Sequence, residues 1–189
     1  MSSAEWAQAV ARELLESALP RRWAHTAGVA HRAREAAPAA PAHAEVLEAA
    51  AWLHDIGYSP ALATTGFHPL DGARHLREAT DADPVLCCLV AHHSGALVEG
   101  RMRDLSGVLE REFPLATIEP PALLDVLTYC DMTTGPAGDL VSVDERLGEI
   151  ADRYPADSVV HRAVAELAPT IRRQSADVTA ALADGRTLA

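Results

Sequence analysis

The sequence predicts an all-α protein, and its composition and residue spacing both indicate this class. Apolar residues make up 49% of the 189-residue chain, yet its aromatic side chains are only three Trp, three Tyr and two Phe. The apolar content is therefore mostly Ala, Leu and Val, a composition that favours closely packed helices over sheet. Apolar side chains recur at helical spacing, and no segment shows the alternation of apolar and polar residues that is typical of a strand.

The N-terminal part of the chain predicts three helices. Ser2 and Glu5 have the spacing of a capping box, which starts a first helix over 2–19. A proline then interrupts the chain, and a second helix is expected over 21–37, before two further prolines. A third helix is predicted over 42–54, because its apolar residues share one face.

The middle of the chain is less regular. A short helix is predicted over 69–79, and another over 84–92 that is apolar on nearly every side and is therefore expected to lie centrally. Three glycines and three prolines are spread over 95–121, where we expect surface loops and short helices. This segment could be an interaction loop or a substrate lid, and the sequence leaves both open.

The C-terminal part predicts three more helices within what we expect to be a single domain over 1–189. A strongly apolar helix over 122–132 begins after a proline, a favourable residue at a helix start. A loop rich in Gly and Pro follows over 133–138. The remaining helices are expected over 142–153 and 158–183.

The charge of the chain excludes two classes of partner. Sixteen basic residues against 27 acidic ones give a net charge of −11, which repels nucleic-acid polymers and anionic membranes. The N-terminal residues lack the features of a secretion signal, and no segment reaches the roughly 18 apolar residues of a membrane span. The three cysteines are an odd number and do not suggest a disulfide framework. We therefore expect a cytoplasmic protein.

Histidine and aspartate residues at helix ends carry the chemistry. His54 and Asp55 end a predicted apolar helix and are followed by Gly57, which lets a ligand approach the backbone. His25 and Asp131 lie on other predicted helices. Imidazoles and carboxylates without cysteine suit divalent Fe, Mn, Co, Ni or Zn. Taken singly, these residues have structural alternatives: a histidine bonded to a carbonyl, or an aspartate that caps a turn.

Four of these residues resemble, in their order along the chain, the defining pattern of the HD-domain phosphohydrolases: His25, His54, Asp55 and Asp131. Residues 54–57 read as the His-Asp-Ile-Gly form of that pattern. The resemblance spans about 25–131 and implies a single HD-domain helical bundle. Its motif core would cover about 21–135, with C-terminal helices over 142–184 packed on it.

The resemblance also implies a ligand set for one or two divalent ions. A first ion would be held by His25, His54, Asp55 and Asp131. Segment 67–73 and the pair at 92–93 are similar to family members that bind a second ion, including dinucleoside-tetraphosphate hydrolases and HD-GYP phosphodiesterases. Asp55 would bridge to that ion, whose further ligands would be His68, His92 and His93. Adjacent helical residues point about 100° apart, so one of the pair at 92–93 could lie outside the ligand set.

The chain departs from the family pattern at two places that concern the substrate. Family members often carry Lys after the His-Asp-Ile-Gly motif, where this chain has Tyr58. No Gly-Tyr-Pro motif follows the pair at 92–93, which disfavours a cyclic-dinucleotide phosphodiesterase. Other candidates for contact with a substrate phosphate lie near the motif residues, although a solvated surface role is the alternative for the arginines: Arg22, Tyr58, Arg74, Arg77, Thr133 and Thr134.

The function that the resemblance implies is hydrolysis of a small phosphoester, a nucleotide or dinucleotide, by a metal-bound hydroxide. His54 and Asp55 would be its catalytic residues, and the partner would be a small phosphorylated molecule bound to a monomer or homodimer. Two alternatives stay open. One is a mixed-valent di-iron oxygenase of the same superfamily, and the other is a non-catalytic nucleotide-binding or sensor module.

Overall fold

The protein is built of helices. The computed structural model describes residues 2–188. Within that range no β-strand occurs, and the only extended pairing is an isolated bridge between Thr134 and Leu140. The all-α prediction is therefore confirmed.

The first three helices follow the predicted order with one change of length. Their bounds are Ser3–Leu15 for α1, Pro20–Ala36 for α2 and Ala44–Leu53 for α3. The predicted capping box is present, because Ser2 accepts from the Glu5 backbone N–H and Glu5 accepts from that of Ser2. The prediction that α1 reaches residue 19 is wrong. A turn over 16–18 ends it early, before Pro20 begins α2.

The later helices also follow the predicted order. Their bounds are His68–Ala79 for α4, Pro84–His92 for α5, Ala96–Met102 for α6, Ser106–Glu112 for α7, Ala122–Met132 for α8, Val143–Arg153 for α9 and Val159–Asp184 for α10. The irregular segment 95–121 contains two short helices, α6 and α7, as its glycines and prolines led us to expect. Helix α10 continues through an internal proline, Pro169.

Helices α3, α5 and α8 form the centre of the bundle. Seven of the nine residues of α5 are buried, which matches its lack of a polar face, and six of the ten residues of α3 are buried, including all of its last five. Helices α1 and α2 pack on α3, and small buried residues such as Ala7, Ala11 and Ala30 let the helix backbones approach closely. The high alanine content thus permits the helices to pack closely.

A second, smaller hydrophobic cluster joins the C-terminal helices to the end of α8. Its buried members are Met132, Leu147, Ile150 and Ile171, contributed by α8, α9 and α10. This packing lays α9 and α10 beside the C-terminal end of α8. The C-terminal ends of α3, α5 and α8 carry His54, His93 and Asp131 respectively.

Two further observations concern the chain as a whole. The three cysteines are buried and free. Among the described residues, no helix combines the length and the apolar character needed to cross a bilayer.

Candidate metal centre

Six histidine and aspartate side chains meet where the central helices end. They form two groups, and within each group one ligand atom per residue lies within 4.8 Å of the others. The first group is His25, His54 and Asp131, and the second is Asp55, His68 and His93. Five of the six are buried, and the side chain of His68 is only 14% exposed.

The carboxylate of Asp55 lies between the two groups. Its Oδ2 is 3.3 Å from Nε2 of His54 and 3.9 Å from Nε2 of His25. Its Oδ1 is 3.4 Å from Nε2 of His68 and 3.9 Å from Nε2 of His93. Each oxygen of one carboxylate therefore faces a different group of imidazoles.

Backbone carbonyls set the direction of three imidazoles. Nδ1–H of His25 donates to the Gly135 carbonyl at 3.1 Å, that of His54 to Ala51 at 2.8 Å, and that of His93 to Val90 at 2.7 Å. A carbonyl only accepts, so each of these Nδ1 atoms carries a proton. All three Nε2 atoms thus face the cluster as potential ligands, the usual arrangement of metal-binding histidines.

The residues present fit a divalent metal ion. Nε2 of His54 is fully buried and has no hydrogen-bond partner. A buried polar atom without a partner costs about 1–3 kcal/mol, and a cation held by the cluster would supply one. The C-terminal ends of three helices also point their negative dipole ends at this position, which favours positive charge.

Both carboxylates of the cluster are held in the ionised form that binds cations. Burial alone would raise the pKa of Asp55, but the charge of Arg22 and contact with His54 hold it well below its usual range. Burial opposes ionisation of Asp131 in the same way, and the hydrogen bond from His25 outweighs it and lowers its pKa.

The second group contains two imidazoles whose ring nitrogens face each other. Nε2 of His68 lies 3.1 Å from Nε2 of His93. Burial lowers the pKa of both rings, so both are neutral at physiological pH. The ring of Tyr58 stacks on His68 with 3.8 Å between centroids and covers this side of the cluster.

Close backbone packing brings His68 to Asp55. Gly57 lies in a 3-10 turn, Ile56–Tyr58, that directly follows Asp55. A Cβ added to Gly57 would lie 2.0 Å from the carbonyl oxygen of His68. Only glycine therefore lets the start of α4 approach this turn, which gives a structural reason for the glycine of the motif.

Asp71 fixes the loop that leads into α4. Its carboxylate accepts hydrogen bonds from the backbone N–H of Thr65 at 3.0 Å and from the hydroxyls of Thr64 and Thr65 at 2.7 and 2.8 Å. Asp71 is itself buried, one turn after His68. It thereby ties the preceding loop to the helix that carries His68.

A residue that the sequence analysis missed supports Asp131. The Ser94 hydroxyl donates a short hydrogen bond to Oδ2 of Asp131. The backbone of Ser94 is left-handed, with φ 49°, an unfavourable conformation for a residue with a side chain. No local sequence pattern marks such a serine, because its role depends on a turn that follows His93.

Two of the predicted substrate contacts lie at the cluster. Nη1 of Arg22 donates to Oδ2 of Asp55 at 2.7 Å. The Arg22 guanidinium also lies over the ring of Tyr58, 4.1 Å from its centroid. Burial raises the pKa of the Tyr58 hydroxyl, so that side chain stays neutral.

His92 does not join the cluster, which corrects its assignment as a metal ligand. Its Nε2–H donates to the carbonyl of Phe113 at 2.6 Å, and the ring points into the protein between α5 and the end of α7. The cause is the angle between adjacent helical residues, which turns His93 to the cluster and His92 away.

Arg74 and Arg77 are also placed away from the cluster. Both point outward from α4 and bond to Glu112 of α7, Arg74 through Nε at 3.0 Å and Arg77 through Nη2 at 2.8 Å. They therefore join two helices and do not face the histidine and aspartate cluster.

The threonines that follow Asp131 use their hydroxyls within their own turn. Thr133 donates to the carbonyl of Tyr129 and Thr134 to that of Cys130, both at 2.7 Å. Neither faces the cluster. The expected contacts of these threonines with substrate are therefore absent. The loop instead contributes the carbonyl of Gly135, which orients the ring of His25.

A cleft of about 480 Å³ opens beside the cluster. Four arginines line it together with His25 and Tyr58: Arg21, Arg22, Arg146 and Arg153. Arg146 and Arg153 belong to α9 and were not among the predicted site residues. Their position depends on how α9 packs on α8, which no local pattern reveals.

Comparison with known families gives one match. The model of the family described as the HD domain matches residues 22–134, more than half of the chain. No curated protein and no solved structure matches the chain. The matched residues include all six members of the cluster, whereas α9 and α10 lie outside them.

Proposed function

The chain belongs to the HD-domain family, whose members are generally metal-dependent phosphohydrolases, and we propose that it hydrolyses a small phosphoester, a nucleotide or dinucleotide. The proposal includes two ions, one at each group of the cluster. Asp55, with one oxygen facing each group of imidazoles, would serve both ions.

The observation that carries the proposal is the position of Asp55 between two groups of imidazoles. Each group could hold one divalent ion, and a pair of neighbouring ions would suit phosphoryl displacement. When bound, such ions supply an activated water and positive charge for the phosphoryl oxygens. The donor set of histidine nitrogen and carboxylate oxygen accepts several first-row metals.

The residues around the cluster have separable roles in this proposal. His25, His54 and His93 present Nε2 because backbone carbonyls hold their Nδ1–H groups. Ser94 holds one oxygen of Asp131 and so fixes the direction of the other. Tyr58 excludes water from one side of His68 by stacking on it.

Arg22 supplies a fixed positive charge beside the shared carboxylate. Its pKa is raised, because contact with Asp55 outweighs the effect of burial, so the side chain remains charged. A guanidinium so placed can contact a phosphoryl oxygen by charge-assisted hydrogen bonds.

The experiment that tests the proposal is substitution of the shared carboxylate. We expect Asp55→Ala to lower metal content and to reduce phosphate release from phosphoesters by more than about 100-fold, the upper end for residues that only support metal ligands. Metal is measured by elemental analysis, and helical content by circular dichroism is expected to change little.

The matched control is Asp177→Ala, which removes an exposed aspartate on α10 far along the chain from the motif. It should retain both metal and activity. An Asp55→Ala protein that keeps full metal content and turnover would refute the assignment.

A further inference from the structure

The arginine cleft adjoins the candidate metal centre. Arg22, Tyr58, Arg146 and Arg153 line both the cleft and a narrower cavity that contains Asp55, His68, His93 and Asp131. The four shared side chains therefore place the cleft directly beside the ligand cluster, within reach of a molecule bound there.

The charge of the cleft is opposite to that of the protein. The chain has a net charge of −11, yet four of its 16 basic residues line this one cleft, and no Asp or Glu is among the described residues that line it. Besides the arginines, His25 and Tyr58, the walls are apolar and include Leu19, Pro20 and Pro136. Its volume of about 480 Å³ lies in the range of small-ligand pockets.

Helix α9 presents its arginines along one face. Arg146, Glu149 and Arg153 are spaced at helical intervals, and Glu149 accepts hydrogen bonds from both arginines. This shared carboxylate limits their motion and leaves other donors of each guanidinium free. Seven residues of helix separate the two arginines by about 10 Å along the axis.

Arg146 is the inner member of the pair. It is 5% exposed, its Nε is buried without a hydrogen-bond partner, and its Nη2 lies 3.7 Å from Oδ1 of Asp131. A buried guanidinium with an unused donor is costly unless an anion binds it. Arg153 is the outer member, with a side chain that is 31% exposed.

From this arrangement we propose that the cleft binds a second phosphoryl group of the substrate, held by Arg153 together with Arg146. This inference rests on the proposed function, in which the first phosphoryl group lies at the metal cluster. The substrate class is then a molecule with at least two phosphoryl groups in series, such as a nucleoside polyphosphate or a dinucleoside polyphosphate, rather than a simple phosphomonoester.

The test compares the binding of two probes to the metal-loaded protein by calorimetry. Imidodiphosphate has two linked phosphoryl groups and resists hydrolysis, whereas orthophosphate has one. We expect imidodiphosphate to bind at least about tenfold more tightly than orthophosphate, since an Arg–phosphate contact is charge-assisted and often bidentate. Malonate, a dianion without phosphorus, should bind more weakly than imidodiphosphate.

Arg153→Gln is the diagnostic variant, because the residue is partly exposed and its removal leaves Glu149 paired with Arg146. It should weaken imidodiphosphate binding about tenfold and leave orthophosphate binding within twofold of the unaltered protein. The control is Arg172→Gln, which removes an exposed arginine paired with Asp144 outside the cleft. Chelation of the ions by imidodiphosphate affects both variants alike, so only the difference between them reports on the cleft.

Three outcomes would overturn the inference: equal affinity for the two phosphate probes, equal binding by the two variants, or malonate binding as tight as imidodiphosphate with the same dependence on Arg153. If phosphate is released from phosphoesters but Arg153→Gln has no effect, the second phosphoryl site fails and the hydrolase stands. If Arg153→Gln weakens imidodiphosphate binding but no phosphoester is hydrolysed, the site stands and the proposed hydrolase fails.

Discussion

At the scale of single residues, Asp55 illustrates how a buried charge is maintained. The residue is 3% exposed, yet Arg22 and contact with His54 keep its carboxylate ionised. Removing Asp55 leaves the charge of the partly buried Arg22 without its partner. Asp55→Ala is therefore expected to affect the position of Arg22 as well as metal binding, and helical content must be measured beside activity.

The sequence identified much of the cluster but not its surroundings. Spacing and resemblance pointed to His25, His54, Asp55, His68, His93 and Asp131, and the structure brings these six together. His92 was included among the predicted ligands because the sequence shows that it is adjacent to His93 but does not show which way each side chain points. Ser94, Arg146 and Arg153 were missed because their positions depend on a left-handed turn and on the packing of α9.

Asp71 provides a prediction about how His68 is positioned. In Asp71→Asn an NH₂ group replaces one acceptor oxygen and faces the donors of Thr64 and Thr65, so the loop before α4 should loosen. We expect the affinity for the ion nearest His68 to fall about tenfold, as for other residues that support metal ligands. Titration with a competing chelator measures this metal affinity.

The control for that measurement is Asp83→Asn. Asp83 is exposed and caps α5 through the backbone N–H of Val85, and asparagine caps helices about as well as aspartate. Metal affinity in Asp83→Asn should equal that of the unaltered protein. Equal metal affinity in the Asp71 variant would mean that His68 needs no support from this loop.

At the scale of secondary-structure elements, prolines and caps made the helices predictable. Helix α8 has the bounds predicted from its apolar run, and α9 begins at a capping box of Ser142 and Glu145. The end of α1 was misjudged because residues 16–18 carry no proline or glycine that would mark the turn. Where α9 and α10 pack could not be predicted, because their apolar faces fit several helical neighbours equally well.

The contact between α4 and the turn after α3 yields a prediction for Gly57. In Gly57→Ala the new methyl group would clash with the backbone of His68, which has no flexible end to move aside. We expect a loss of about 1–3 kcal/mol of unfolding free energy, typical of overpacking, with reduced metal content. Urea denaturation and elemental analysis measure the two effects.

Gly148→Ala is the matched comparison for Gly57. Gly148 lies within α9, and a Cβ there would meet nothing within 4 Å. Alanine in a helix interior is favoured over glycine by about 1 kcal/mol, so this variant should be more stable. If both glycine-to-alanine changes shifted the free energy of unfolding in the same direction, the packing described for Gly57 would be contradicted.

The link between α4 and α7 gives a prediction that depends on pH. Hydrogen bonds from Arg74 and Arg77 lower the pKa of Glu112 from 4.5 to about 2. Because the folded pKa is depressed, the stabilisation is complete above pH 4.5 and is lost as the pH falls toward 2. Glu112→Gln should therefore cost about 1 kcal/mol at pH 7 and distinctly less at pH 3.

Urea denaturation at the two pH values tests this, with Glu16→Gln as the control. Glu16 pairs with Arg12 at 3.7 Å, and both side chains are more than half exposed, so its loss should matter little at either pH. An effect of Glu112→Gln that is the same at pH 7 and pH 3 would show that the pair with Arg74 and Arg77 does not stabilise the fold.

At the scale of the whole molecule, the two parts of the site have different origins in the chain. The family match covers the ligand cluster but ends at residue 134, before α9 and α10. The arginines that extend the cleft come from α9, and the small C-terminal hydrophobic cluster holds that helix in place. The matched region thus carries the candidate metal ligands, and the C-terminal helices shape the cavity beside them.

The net charge of −11 sets a further requirement on the molecule. An acidic surface repels an anionic substrate at long range, and screening limits this to roughly 8 Å at physiological ionic strength. Closer in, bound ions and the arginine cleft would supply the attraction. This arrangement accounts for an acidic protein with a site suited to phosphate.

The most direct test of the account is elemental analysis of the freshly purified, unaltered protein. We expect close to two first-row metal ions per chain, one for each group of the cluster. Protein that contains no metal, and that takes up none when reconstituted with the ions of this series, would contradict it.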